Sequence, residues 1–270
     1  MSNQTRSTWT APLHEQGEAA HYAAGYEGWN RVARYYHSRL YSVAEQLRTV
    51  QGGHLLDLGC GPGMMVRHLV DTRPADFTIT ALDHSPAMVS QAAARLSDVA
   101  DVHLDVARAE DLPLSDASVD VVLAMGVLEY TDLPVTLREI ARVTRSGGLV
   151  LVTMLNPGNP YRLFEWGVYL PLQRGVGHLG RIVGVPADRR YSTDKQGIRA
   201  YTRPQLQRML RAAGLEPQDV VYYDLTPWVP PVDRLVRRVD HRWRDHPDLT
   251  VTRGAGRWMG TAYLVAARRT

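Results

Sequence analysis

His54-Leu55-Leu56-Asp57-Leu58-Gly59-Cys60-Gly61-Pro62-Gly63 is the stretch from which the rest of the chain is read. A run of strand length ends near an acidic residue and opens into a loop with glycine at every second place. Glycine has no Cβ, so such a loop adopts positive φ and lets a ligand lie against its backbone. Met64-Met65-Val66-Arg67-His68-Leu69-Val70 follows with apolar residues at helical spacing and no breaker. Strand, glycine turn and helix N-terminus form a crevice of nucleotide size, with free N–H groups turned toward the ligand. A dinucleotide fold uses G-x-G-x-x-G, its third glycine allowing close helix–strand packing. Here the spacing is G-x-G-x-G, and Met64 stands where that third glycine belongs. Asp57 would repel a pyrophosphate, whereas it suits a ligand that carries an ammonium group.

Outward from this loop, strands and helices alternate. Phe77-Thr78-Ile79-Thr80-Ala81-Leu82 reads as a second strand ending at Asp83, a carboxylate placed to accept both hydroxyls of a ribose. Ser85-Pro86 starts a helix with serine as N-cap and proline in the first position. Val102–Val106 is a third strand, followed by the Arg108-Ala109-Glu110-Asp111-Leu112-Pro113 loop. Val119–Met125 is nearly continuously apolar, as in a central parallel strand buried on both faces. It leads to Gly126-Val127-Leu128-Glu129-Tyr130, at the strand end where open α/β sheets bind ligands. Pro134–Val143 has helical spacing, Ser146-Gly147-Gly148 turns, and Leu149–Met154 is a fifth strand. Such alternation predicts a doubly wound α/β fold.

The D-x-G-x-G-x-G pattern from Asp57 to Gly63 resembles the first motif of class I S-adenosylmethionine (SAM)-dependent methyltransferases. Residues from about Gly53 to Leu155 are similar to the cofactor half of the ubiquinone/menaquinone-biosynthesis type, and the likeness resumes at Tyr201–Glu216. It implies a Rossmann-like seven-stranded sheet with the last strand antiparallel. Val220–Tyr223 and Thr261–Ala266 would be its last two strands, with an N-terminal helical lid and an insertion after strand 5. The implied parts are a lid (1–51), a SAM-binding core (52–155), an acceptor-side insertion (156–200) and the C-terminal part of the fold (201–270). The cofactor residues implied by the resemblance are Asp57, Gly59, Cys60, Gly61, Gly63, Asp83, His84, Met88, Ala109, Glu110, Met125 and Gly126. Arg108 stands where the family commonly has an acidic residue beside the adenine, so that contact falls to Glu110 or to backbone near Ala109. Rival readings are a SAM-binding protein that does not methylate, and a nicotinamide-dependent oxidoreductase, which Asp57 and the glycine spacing disfavour.

The chain has 270 residues, 44% of them hydrophobic, and a net charge of +3. That charge is too small to imply a nucleic-acid partner. Cys60 is the sole cysteine, which excludes an internal disulfide and a cysteine-rich metal site, and no metal is expected. Neither a signal peptide nor a membrane span is legible, so the expectation is a cytoplasmic protein. Peripheral membrane contact and a homo-oligomer stay open. Asn156-Pro157-Gly158-Asn159-Pro160-Tyr161 invites comparison with the N-P-P-Y motif of DNA amino-methylating enzymes. That motif belongs after the fourth strand and is rejected here.

The acceptor is expected to be a partly hydrophobic or aromatic small molecule of specialised or isoprenoid/quinone metabolism, with O-methylation ahead of C- and N-methylation. Its candidate contacts are Tyr22, Tyr26 and Trp29 on a helical face that continues through Ala33, Tyr36 and Leu40. Tyr130 follows the fourth strand, and Tyr161, Phe164 and Trp166 lie in the apolar insertion. A stripe of this kind equally well serves an amphipathic helix packed on the core. A hydroxyl or activated-carbon acceptor must lose a proton and gains from a base, for which His37, His178 and His241 are the candidates. The run Arg234–Arg244 puts Leu235, Val239 and Trp243 on one face and arginines on the other, a pattern that solvated helices and anion-binding helices share.

Overall fold

The computed structural model describes residues 31–169, 198–226 and 254–270, together with Ala24, Pro171, Leu172, Val229, Thr250 and Thr252. Its elements in chain order are α1 (Arg31–Leu47), β1 (Gly53–Leu58), α2 (Met64–Thr72), β2 (Phe77–Asp83), α3 (Pro86–Arg95), β3 (Val102–Val106) and β4 (Val119–Ala124). Then come α4 (Leu133–Val143), β5 (Thr144–Leu155), α5 (Pro160–Phe164), α6 (Arg203–Ala212), β6 (Leu215–Leu225) and β7 (Gly260–Arg269). The strands form one seven-stranded sheet in the order β3-β2-β1-β4-β5-β7-β6. β7 runs antiparallel to both its neighbours, and the β1–β5 pairs are parallel. The doubly wound fold with an antiparallel last strand, expected from the sequence, is what the chain forms.

Side chains alternate across the buried strands, so the sheet carries a core on each face. Leu56, Val122, Val150 and Val152 face Leu137 and Ile140 of α4 and Leu206 and Leu210 of α6. Leu55, Val121, Leu123 and Leu151 face Leu40, Val43 and Leu47 of α1 and Met65, Val66 and Leu69 of α2. Several helix starts carry their own caps. The Ser85 hydroxyl accepts from the Met88 N–H, the Asp132 carboxylate accepts from the Val135 N–H, and Thr202 with Gln205 forms a capping box. The turn expected at Ser146-Gly147-Gly148 lies inside β5 instead. Pairing with β4 passes from Val119↔Thr144 to Val121↔Leu149, leaving residues 145–148 as a bulge, with Gly147 at φ +77°.

Strand order reverses between β1 and β4, so a crevice opens at their carboxyl ends. Helix α1 packs on the face of the sheet that also carries α2, and its Arg39 reaches Gly126 at the end of β4. Its stripe of Ala33, Leu40, Val43 and Leu47 is buried, but so are Arg34, Ser38, Arg39 and Ser42. An ordinary amphipathic helix would turn those polar groups to water. Here the Ser42 hydroxyl donates back to Ser38 O at 2.7 Å, and Arg34 finds its partners at the end of β6. Arg34 Nε donates to Asp224 Oδ1 at 2.8 Å, and its guanidinium also reaches Thr226 Oγ1. The Thr261 hydroxyl donates to the other Asp224 oxygen. No helix among the described residues is long and apolar enough to cross a membrane.

Candidate active site

The glycine loop makes the floor of the crevice. Gly59, Gly61 and Gly63 stand at φ +69°, +53° and +75°, a left-handed conformation that costs other residues about 1–2 kcal/mol. The N–H groups of Gly59 and Cys60 donate to Leu82 O at 2.7 and 3.0 Å, and the Gly61 N–H donates to Asp83 Oδ2 at 2.9 Å. The loop is thereby tied to the end of β2. A Cβ at Gly59 would come within 1.9 Å of Val127 Cγ2. Gly59→Ala is therefore expected to lower stability by about 2 kcal/mol or more, from positive φ and overpacking together. Urea unfolding checks this, and an unchanged midpoint would mean that the loop is laxer than its geometry.

Asp57 lies at the carboxyl end of β1, fully buried, and neither of its carboxylate oxygens has a hydrogen-bond partner among the described residues. Burial raises its pKa to about 7; Arg39 pulls against that rise and Asp83 adds to it. Buried polar atoms in native proteins are nearly always satisfied, so a fully orphaned carboxylate has an unmet demand for a donor. Asp83 is better supplied. Oδ1 accepts from the Ser85 N–H at 2.9 Å and lies 3.4 Å from His84 Nδ1, whose pKa rises through that contact.

Arg39 is the feature that the sequence reading missed. It is buried, and its guanidinium lies 5.5 and 5.3 Å from the ring centroids of Tyr35 and Tyr36. A Cβ on Gly126 would come within 2.1 Å of Arg39 Nη1, so this glycine is what lets the guanidinium approach the end of β4. Gly126 is itself held at φ +68°, and its N–H donates to Thr153 Oγ1 at 2.9 Å. Arg39 acts electrostatically on Asp57 and on a second buried carboxylate, Glu129. Glu129 follows β4 and is held by Oε1, which accepts the Leu155 N–H at 3.2 Å; Oε2 is buried without a partner among the described residues. Burial lifts its pKa to about 7 as well. The only legible sign of either residue was a charge set among apolar neighbours.

The other expected contacts divide. Cys60, Met88 and Ala109 are buried and Met125 is half-buried. Glu110 Oε1 accepts the Asp132 N–H at 3.1 Å, and Oε2 lies 3.5 Å from Arg108. His37 is partly buried on α1 and stacks on Tyr41, with ring centroids 6.3 Å apart. Tyr130 is 45% exposed. Tyr161, Phe164 and Trp166 are half-buried in α5 and the π-helical turn Glu165–Tyr169 that continues it. From α5, Arg162 reaches 5.9 Å from the Tyr35 ring centroid and pairs with Glu165 at 2.6 Å, which brings the insertion against α1. Tyr22, Tyr26, Trp29, His178 and His241 lie outside the described residues, as does the Arg234–Arg244 run. Among the described residues no cluster of three His, Cys, Asp or Glu side chains is arranged to hold a metal.

The Asn-Pro-Gly-Asn-Pro segment has a structural use. Asn156 Nδ2 donates to Gly260 O at 2.9 Å and Asn159 Nδ2 to Trp258 O at 2.9 Å, while Asn159 Oδ1 caps α5 through the Arg162 N–H. These amides fasten the start of the insertion to the turn before β7.

Residues 56–152 match the family model of the methyltransferase domain. A malonyl-[acyl-carrier protein] O-methyltransferase of Dechloromonas aromatica is 36% identical over 121 residues, 45% of this chain and 44% of that protein. A ubiquinone/menaquinone biosynthesis C-methyltransferase of Geotalea daltonii is 29% identical over 136 residues, 48% of this chain and 58% of that one. The chain thus spans about half the length of these curated relatives. Among solved structures, a chain from the complex between the Haloferax volcanii Trm112 methyltransferase activator and a methyltransferase superposes with a TM-score of 0.64 at 24% identity, covering 94% of both chains. That likeness is one of fold.

Proposed function

We infer that this chain, which carries a class I SAM-dependent methyltransferase domain, is an enzyme that methylates a partly hydrophobic or aromatic small molecule. The observation that carries the reading is the orphaned, buried carboxylate of Asp57 beside three left-handed glycines. The chemistry of this site fits SAM. Asp57 would take the ammonium of its methionine part, and Arg39 is close enough to Gly126 to take the carboxylate. The backbone of Gly59–Gly63 would lie along the chain between them, and Asp83 stands where a ribose hydroxyl would be accepted. When bound, SAM supplies an electrophilic methyl group on a sulfonium.

What the chain itself contributes is chiefly placement. Sulfonium charge disperses during transfer, so little anion stabilisation is needed, and holding the nucleophile about 3–3.5 Å from the methyl carbon supplies about 7–11 kcal/mol. Arg39, Tyr35 and Arg162 bring α1 and α5 over one end of the crevice. Such a cover excludes water and gives an apolar acceptor a wall. We place O-methylation first, C-methylation second and N-methylation third, and the lid, core and insertion boundaries at 1–51, 52–155 and 156–200.

Ligand titration tests the reading. S-adenosylhomocysteine at a hundred times its Kd should stabilise the protein by about 2.7 kcal/mol in thermal or urea unfolding, and NADH and NADPH should give no shift. Stabilisation by a nicotinamide nucleotide alone would replace this function with that of an oxidoreductase.

A further inference from the structure

The buried carboxylate of Glu129 takes no part in holding SAM. We propose that Glu129 is the acceptor-side base, its Oε2 taking the proton that the acceptor's hydroxyl or acidic carbon loses as it is methylated. This rests on the methyltransferase reading of the same crevice.

Three observations support it. Glu129 is fixed from two directions: Oε1 accepts the Leu155 N–H at 3.2 Å, and its main-chain oxygen accepts the Arg199 N–H at 3.0 Å. Its free valence is Oε2, buried and without a hydrogen-bond partner among the described residues, which costs stability unless something is bound there. Finally, Arg39 acts on both Glu129 and Asp57 while lying against Gly126, so the two orphaned carboxylates share one end of the sheet. One faces the need for a cation on the donor side. The other, beyond β4 and beside the insertion, remains for the acceptor.

The charged and titratable groups facing Glu129 are Arg39 and Tyr35 of α1, Arg162 of α5, Tyr223 of β6 and Tyr263 of β7. Burial raises its pKa to about 7, which suits a base working near neutrality. In the transfer the acceptor's X–H bond yields its proton to Oε2 while the X–C bond forms. The C–S bond breaks with its electron pair left on sulfur, and the carboxyl then returns the proton to water. A neutral amine attacks before losing a proton and needs no such group. The inference therefore assigns the acceptor to the hydroxyl or acidic-carbon class.

A test without the acceptor uses sinefungin, which carries an amine on carbon where SAM carries the methylated sulfonium. Sinefungin and S-adenosylhomocysteine share the contacts of their amino-acid part, so their affinity ratio isolates the group facing the methyl position. By calorimetry at pH 8, the full chain should bind sinefungin about tenfold or more tighter, the yield of one charge-assisted hydrogen bond. Glu129→Gln, which keeps the acceptor for the Leu155 N–H, should bring the ratio within about threefold of one and leave S-adenosylhomocysteine affinity nearly unchanged. Acidification to pH 6 should shrink the wild-type ratio and leave that of Glu129→Gln flat. An equal ratio in both proteins overturns the proposal, and so does loss of S-adenosylhomocysteine binding in Glu129→Gln, which would mark a structural role. If wild type binds neither ligand, the methyltransferase reading has failed and this one falls with it.

Discussion

Asp57→Asn will weaken S-adenosylhomocysteine binding by about 30-fold or more, because removing one partner of a buried, hydrogen-bonded charge pair costs roughly 2–5 kcal/mol. The same change will stabilise the unliganded protein above neutral pH. The sign follows from the raised pKa of about 7 against the 3.8 of an ordinary aspartate. The folded, unliganded chain binds more protons than the unfolded chain between these values, so stability declines as pH rises from about 4 to about 7 and then levels. Asparagine has no proton to lose, and the gain should therefore appear at pH 8 and vanish near pH 4. Ligand affinity has the opposite slope, since pairing with an ammonium needs the ionised carboxylate. In wild type it should fall toward tenfold per unit as pH drops below about 7, and in Asp57→Asn it should be nearly flat. Melting temperatures and calorimetric affinities at pH 4–9 check both slopes. A destabilised Asp57→Asn at pH 8 with wild-type affinity would show that the carboxylate serves the fold and not a ligand.

The second large effect concerns helix α1. Arg34→Ala strips the partner from Asp224, whose side chain is 5% exposed, and leaves an uncompensated buried charge. Losses of about 3–5 kcal/mol are typical of such a change. Arg34→Ala with Asp224→Asn should recover much of that loss. Asparagine still accepts from Thr261, and it tolerates the left-handed backbone at residue 224, where φ is +50°. Urea unfolding measures the loss, and hydrogen exchange localises it, with amides of α1 losing protection before those of β1 and β4. Affinity for S-adenosylhomocysteine should drop in the single variant, because Arg39 and Tyr35 ride on the same helix. If the double variant is no more stable than Arg34→Ala, the cost comes from lost packing of the arginine stem.

What was readable in the chain was whatever depends on neighbours in sequence. Ser85-Pro86 announced a capped helix, the apolar run ending at Ala124 announced a central strand, and Gly59, Gly61 and Gly63 announced the left-handed turn that follows Asp57. Each is a local matter of dihedral angles, caps and periodicity. The bulge at residues 145–148 was misread as a turn, since Ser-Gly-Gly has the same local signature in both and only pairing with β4 separates them.

The sequence by itself thus determined a doubly wound sheet with a glycine-floored crevice, the domain's family likeness and a carboxylate at the end of β1. Tertiary structure alone decided what stands opposite that carboxylate. Arg39, Glu129 and Arg162 are distant in the chain, on α1, after β4 and on α5, and they meet because the sheet order sends β1, β4 and β5 to one end. No local rule distinguishes a buried arginine or glutamate from a solvated one. The cost of burying a charge is settled by partners that only the completed sheet brings within reach.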